Sequence, residues 1–503
     1  MRHLVVSITA DAISAGAPFE GFVSFSIELS SFPDYAGNLS SPNKYSDILL
    51  DNIGALQGTK PYIRVGGNTQ DYAIYNANLE VGLNGTINPN RSTLYPTTIE
   101  IGPAFFESYQ TWTNVKFSHG FNMGGNKDPR VWDTLIQTVP LACKALGNKL
   151  HVWEYGNEPD YFAGGVRPST YNETTYVQDW LNGTRTIRTL LSKACPDMLS
   201  SYGYMAPSLA GINNHLKAPV IWAAGLNAEK VVRLDASHHY ISDARTLGVT
   251  LQGTLLNHNR TKHDVDLYAA QWSAIDPGVP AIFGETNSLS NGGRPGLSNT
   301  FGAALWGIDF NLYCASANVS RVHMQMGTNF NYQSWQPVDT SVTTKGTKAP
   351  YYGNIAVAAF LGNLKTTPVR IANIVLGGGG AATEAAYAAY VNNVLKRIMV
   401  VNMNEYNYTA NGTGRGLNIT PRPVRTYSFD VGTGVTKATV QRLYANGSDA
   451  ISGITWDGWS YNYELNGGRP VRLSNVTVGE LVVVTNGIVE VGVADSSAVV
   501  LNF

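Results

Sequence analysis

Short apolar runs recur along the first 365 residues, each followed by enough chain for a helix. They read as strands near 21–28, 61–65, 115–119, 149–155, 199–205, 234–240, 280–284 and 321–326. Helical apolar spacing follows most of them, at 44–56, 130–146, 173–192, 219–228, 298–314 and 351–361. Repeated strand-then-helix units imply parallel strands joined by right-handed crossovers. Eight such units predict an α/β protein whose main body, residues 15–365, is a (β/α)8 TIM barrel. The stretch from Asp71 to Thr111 breaks the rhythm: it is rich in Asn, Thr and Pro and is expected to be an extended loop.

After about Thr366 the apolar period drops to two. The runs RIMVVNM, ATVQRLYA and ELVVVTNGIVEVGV alternate, with Gly and Asn between them. This predicts a C-terminal antiparallel β-sandwich domain over 366–503. Residues 1–14 carry a short alternating strand (Leu4, Val6, Ile8) expected to pair into that sandwich. The glycine run 377–380 reads as a loop, without the strand-to-helix context of a phosphate cradle.

Composition narrows the partners. Only 14% of the 503 residues are charged and the net charge is −1, against about 25% charged residues in ordinary soluble domains. Such a chain has no field to gather a polyanion, so no nucleic acid partner is expected. No apolar run reaches the ~18 residues of a spanning helix, so no membrane partner is expected either. Asn-x-Ser/Thr sequons begin at Asn38, Asn84, Asn90, Asn172, Asn182, Asn259, Asn318, Asn407, Asn411, Asn418, Asn446 and Asn475. That is about twice the number chance would place in this composition. N-linked glycans would solubilise a surface poor in charge, so a secreted glycoprotein is expected. The N-terminus reads as a strand, so any leader is expected to have been removed. Three cysteines allow one intramolecular disulfide. Cys143 and Cys195 lie near helix ends and could pair, while Cys314, in an apolar helix, reads as a buried free thiol. There is no CxxC or HExxH, so no metal and no cofactor are expected. The oligomeric state is not legible.

In a barrel of this kind chemistry sits at the carboxy-terminal strand ends. Two strand ends carry a glutamate where the backbone leaves the barrel: Trp153-Glu154-Tyr155-Gly156-Asn157-Glu158-Pro159 and Ala281-Ile282-Phe283-Gly284-Glu285-Thr286-Asn287. By strand count these are strands 4 and 7, on opposite sides of the barrel mouth. Paired carboxylates suit acetal cleavage, where one protonates the leaving oxygen and the other stays ionised. Either glutamate alone is as well explained by a solvated acid or an ion pair. Asn157, directly before Glu158, is well placed to bond a sugar 2-hydroxyl.

Asn157-Glu158-Pro159 resembles the acid/base signature of the large retaining (β/α)8 glycosidase clan. Several motifs together resemble the heparanase and β-glucuronidase family, glycoside hydrolase family 79: Gly284-Glu285-Thr286-Asn287-Ser288, Asn291-Gly292-Gly293, Ser298-Asn299-Thr300-Phe301, Arg64-Val65-Gly66-Gly67-Asn68-Thr69 and His238-His239-Tyr240. The resemblance spans Ser26 to about Gly353 and is closest in texture to fungal secreted β-glucuronidases. It implies Glu158 as acid/base, Glu285 as nucleophile, and Asn157 as the 2-hydroxyl contact. Tyr240 would hold the nucleophile ionised. Glu28 and Asn68 match positions that bind sugar hydroxyls, with a surface acid and a turn residue as their plain alternatives. Arg64 matches a structural arginine beneath the site. The uronic carboxylate would be held by Tyr332 and by backbone N–H groups at Gly292 and Gly327. The sequence departs from heparanase at Ser290, where that enzyme carries a tyrosine. Arg294 lies nearby and could assist or be solvated. Basic runs suited to a long sulfated chain are absent, and the 71–111 insertion could close one end of the cleft. These features favour an exo-acting retaining β-glucuronidase whose partner is a glycan or a glucuronide conjugate. A neutral-sugar glycosidase of the clan, an endo-acting heparanase-like enzyme and a binding protein on a retired barrel are the competing readings.

Overall fold

A computed structural model describes residues 5–7, 15–124, 129–376 and 382–503. Eight parallel strands close into a barrel in chain order. They are β1 (Val23–Glu28), β2 (Ile63–Gly66), β3 (Phe117–Phe121), β4 (Leu150–Tyr155), β5 (Tyr204–Leu209), β6 (Val232–Asp243), β7 (Ala281–Ser290) and β8 (Arg321–Met326). Strands covered by helices outside and side chains inside are buried on both faces. That is why all six residues of β1 and of β8 are buried, serines and an arginine included.

Among the described residues, seven α-helices of six or more residues wrap the barrel: α1 (Lys44–Gln57), α2 (Arg130–Leu146), α3 (Glu173–Ala194), α4 (Ala218–Ala223), α5 (His258–Ile275), α6 (Phe301–Ser316) and α7 (Ala349–Leu361). Their ends follow local chemistry. The Asn43 side chain accepts from Ser46 N at the start of α1, and Gly58 closes that helix with φ 92°. Asn172 and Thr175 form a capping box on α3. The Cys143–Cys195 disulfide ties the end of α2 to the end of α3, with Cα atoms 6.3 Å apart. Cys314 is a buried free thiol. α6 and α7 are apolar nearly all round, as suits helices with no solvent face. They pack against each other, and α6 also against the sandwich strands. A Cβ on Gly353 would come within 2.5 Å of Ala304 O, so only glycine allows that helix contact.

Three expectations are corrected. The 71–111 stretch is not an extended loop. It forms a three-stranded sheet (Ala73–Tyr75, Leu83–Thr86, Thr98–Ile101) and a 3-10 helix (Pro103–Gln110), standing where a barrel helix would be. Strands of three or four residues are too short to show a period. α5 is a helix that the apolar spacing alone does not predict. Its buried stripe is His258, Thr261, Val265, Tyr268 and Trp272, with correct helical spacing but polar members. Strand 5 lies at Tyr204–Leu209, not 199–205, and 196–201 is a 3-10 helix. Pro207 lies inside the observed strand. β4 and β5 share a single register pair, so there is little ladder on that side for a proline to interrupt.

The chain leaves α7 for an antiparallel domain. Val369–Ile374, Glu384–Val391 and Val394–Asn402 form a meander, and Ser497–Asn502 pairs with its last strand. Lys437–Tyr444, Glu480–Thr485, Ile488–Ala494 and Val424–Asp430 continue the sheet, and Val5–Ser7 adds in parallel to Val424–Asp430. The two halves face each other around a separate core that includes Ile398, Val400, Phe429, Val491 and Leu501. Residues 377–380, read as a loop, lie outside the described residues. No helix among those described is long and apolar enough to cross a membrane.

Candidate active site

The carboxy-terminal ends of the barrel strands surround a cavity of about 910 Å³. Glu28, Asn68, Asn157, Glu158, Tyr240, Glu285, Gly292 and Tyr332 all line it. Gly327 does not. A Cβ there would meet the Phe330 ring at 2.6 Å, so this glycine makes room for an aromatic wall residue.

Glu158 lies just past β4 with φ 49° and ψ 52°, a left-handed conformation costly to a residue with a side chain. Neighbouring bonds enforce it. Asn157 N donates to Asp71 Oδ2 at 2.8 Å, and Glu158 N donates to Ser208 O at 3.0 Å. Asp71 also accepts from Met123 N and Gly124 N, so one buried carboxylate pins the loops after β3 and β4.

Arg64, fully buried on β2, is the hub under the site. It donates to Glu154 Oε2 at 2.8 Å, Glu285 Oε2 at 2.6 Å, Asn157 Oδ1 at 2.7 Å and Ser26 Oγ at 3.0 Å. Burial opposes its charge, but Glu154 and Glu285 more than offset this and strengthen it. The Tyr240 hydroxyl donates to Glu285 Oε1 at 2.7 Å. Burial and the Glu285 charge keep that phenol protonated far above the ordinary range. Burial pushes the Glu285 carboxyl up. The charges of His238 and Arg64 and the bonds from Tyr240 and Arg64 outweigh it, so Glu285 titrates low. Burial pushes Glu158 up too, His238 pulls it back in part, and Glu285 repels its charge, so Glu158 titrates high. The two carboxyls are driven apart, Glu158 toward its neutral form and Glu285 toward its ionised form.

His238 is the residue that sequence reasoning missed. Its Nδ1 lies 3.0 Å from Glu158 Oε1 and 3.9 Å from Glu285 Oε2, and its Nε2 has no partner. Side chains alternate along a strand, so His238 had to share the inward face of Tyr240 on β6. His239 faces the other way, stacked on Phe310 and bonded to Asp264. Glu158, His238 and Glu285 place ligand atoms within 4.8 Å of one another, the spacing of a metal cluster. The Arg64 guanidinium already occupies the ionised carboxylate there, which argues against a cation.

Glu28 accepts from Thr69 N at 2.7 Å and from Gln325 Nε2 at 3.2 Å. Burial and the nearby Glu285 lift it to about 7 despite the Thr69 bonds. Asn68 Nδ2 donates to the Tyr95 hydroxyl at 3.1 Å, and Asn157 Nδ2 donates to Asn68 Oδ1 at 3.2 Å. Tyr95 belongs to the insertion, as do Arg91 and Tyr72 on the same wall. Leu94 packs so closely on Gly292 that a Cβ there would fall 2.3 Å from its Cδ1. The insertion therefore walls one end of the cavity. Ser290 Oγ donates to Asp243 Oδ2 at 3.0 Å, and Arg245 bonds both oxygens of Asp243. Arg294 is half-buried and does not line the cavity. Its guanidinium donates to Ala244 O and Thr246 O, both at 2.7 Å.

The chain is similar over nearly its whole length to known glycoside hydrolases. Residues 386–500 match the glycosyl hydrolase family 79 C-terminal beta domain. A β-glucuronidase of Neurospora crassa is 56% identical over 94% of this chain and 90% of its own. A β-glucuronidase of Aspergillus niger is 52% identical over 96% and 90%. A 4-O-α-L-rhamnosyl-β-D-glucuronidase from Fusarium oxysporum superposes with a TM-score of 0.80 at 22% identity, over 99% of this chain and 100% of its own. A family 51 α-L-arabinofuranosidase from Bifidobacterium longum shares the fold at a TM-score of 0.61 and 12% identity, over 99% of each chain.

Proposed function

The chain belongs to glycosyl hydrolase family 79 and is a glycoside hydrolase, and on that premise we propose that it removes terminal β-linked glucuronic acid with retention of configuration. Glu158 donates its proton to the glycosidic oxygen while Glu285 attacks the anomeric carbon, so the aglycone leaves and a covalent glycosyl-enzyme forms. Glu158, now ionised, takes a proton from water, which displaces Glu285. The observation that carries this reading is a high-titrating and a low-titrating carboxyl with oxygens within 4.8 Å. Inverting enzymes hold their carboxyls about 6.5–9.5 Å apart to admit a water. Asn157 supports the 2-hydroxyl role, because Arg64 takes its Oδ1 and Asn68 takes one N–H of Nδ2, which leaves the second N–H for a substrate in the cavity that Asn157 lines.

The glucuronide assignment is supported by the two fungal relatives and by the wall made of Tyr332 and Gly292. Gly292 has φ 74°, a conformation that lets backbone N–H approach an anion. Exo action is supported by the Leu94–Gly292 contact, which blocks one end of the cleft. Rates on nitrophenyl β-glucuronide and β-glucoside, with NMR of the first-formed anomer, test the reading. The β-anomer of glucuronic acid is expected. Glucoside preference rejects the substrate, and an α-anomer rejects retention.

The reading extends to a secreted glycoprotein. Of the twelve sequon asparagines ten are exposed and Asn407 and Asn418 half-buried, so none is enclosed. A disulfide also suits an oxidising compartment. Protein secreted from a fungal host should lose mass on endoglycosidase treatment, and unchanged mass would reject the glycans.

A further inference from the structure

We propose that Arg91, carried by the insertion, is a specificity-determining residue that draws the anionic sugar into the cavity; this rests on the glucuronide reading above. Six acids, Glu28, Asp71, Glu158, Asp243, Asp264 and Glu285, line the cavity. Burial pushes Glu28, Asp71 and Glu158 toward their neutral forms, while Glu285 is paired with Arg64 and Asp243 with Arg245. A substrate carboxylate therefore needs a positive charge that no resident acid has taken. Two arginines line the cavity. Arg245 is spent on Asp243, with Nη2 3.0 Å from Asp243 Oδ2. Among the described residues Arg91 has no ion-pair partner. Its guanidinium rests over the Tyr72 ring, 5.6 Å from the centroid. That stacking holds the charge at the wall while leaving its N–H groups free. Tyr72 reports how close this is to the reacting groups. Burial raises its phenol, Arg91 lowers it, and Asp71, Glu28 and Glu158 raise it. Arg91 is exposed, so its influence is on encounter and binding, and salt should screen it.

The test compares wild type, Arg91→Gln, Arg91→Lys and Arg245→Gln on nitrophenyl β-glucuronide, its neutral methyl ester and nitrophenyl β-glucoside, from about 20 to 300 mM salt. One exposed charge pair changes binding by up to about fivefold. Arg91→Gln is expected to lose about fivefold in kcat/KM on the glucuronide, through KM, and under twofold on the neutral substrates. The salt dependence of the glucuronide rate should flatten with it. Arg91→Lys should recover much of the loss, and Arg245→Gln should cost less than threefold. Equal losses on charged and neutral substrates, or an unchanged salt slope, would overturn the proposal while leaving the glucuronide reading intact. Wild type that prefers the glucoside would sink that reading, and this proposal with it.

Discussion

Asp235, on β6, is a carboxyl only 1% exposed, and replacing it by Asn should change how stability depends on pH. Burial lifts it from 3.8 to about 7, with the Trp222 indole pulling weakly the other way. The unfolded chain would titrate it near the ordinary value. A group raised on folding contributes stability that is full below its unfolded pKa and is lost as pH rises through its folded one. The window is therefore pH 4 to 7. At ~1.4 kcal/mol per pH unit, the loss across it approaches ~4 kcal/mol. Asn cannot ionise and has no such loss. A chain of this length unfolds with an entropy near 1 kcal/mol per degree, so each kcal/mol moves Tm by about 1 °C. Part of the loss is already taken at pH 4.5, so calorimetry of wild type and Asp235→Asn at pH 4.5 and 7.5 should show the difference between them moving about 3 °C in favour of the variant at the higher pH. Comparing variants at each pH cancels every other titration. A Tm difference that stays constant across this window would refute the reasoning.

Other consequences are equally direct. Activity should follow a bell in pH, lost at low pH as Glu285 protonates and at high pH as Glu158 ionises; Glu158→Gln should remove the alkaline limb on a nitrophenyl substrate, whose leaving group needs little acid. His238→Gln, measured the same way, should shift that limb, because His238 faces both carboxyls; an unmoved profile would assign it a packing role only. Gly292→Ala should raise KM for the glucuronide several-fold by displacing Leu94 and straining φ 74°, and a crystal structure with Leu94 unmoved would contradict this. Replacing Cys143 and Cys195 by Ala opens a link across a 52-residue separation, worth ~4 kcal/mol on the loop-entropy scale; denaturant titration with a loss under ~1 kcal/mol would discount the link.

Much of the site was legible because barrel geometry converts sequence position into spatial position. A glutamate at the end of strand 4 and another on strand 7 must project into one mouth, whatever lies between them. Tyr240 was legible for the same reason, and His238 shared its signal two residues away. Arg64 was recognisable, but its four simultaneous bonds were not. They join β1, β2, β4 and β7, and no local pattern records which strands a guanidinium will bridge.

The apolar period alone determined that this chain is a barrel followed by a sandwich, since strand and helix spacing follows from which residues must avoid water. Strand-end chemistry determined the two carboxyls. Only the tertiary structure decided which carboxyl is neutral. That depends on burial and on His238, Arg64 and Tyr240, brought together from separate strands. Only the tertiary structure made a wall of the 71–111 stretch. Its strands are too short to declare themselves, and they are held by α2, on which Ala73–Tyr75 and the 3-10 helix pack, and by the contact of Leu94 with Gly292.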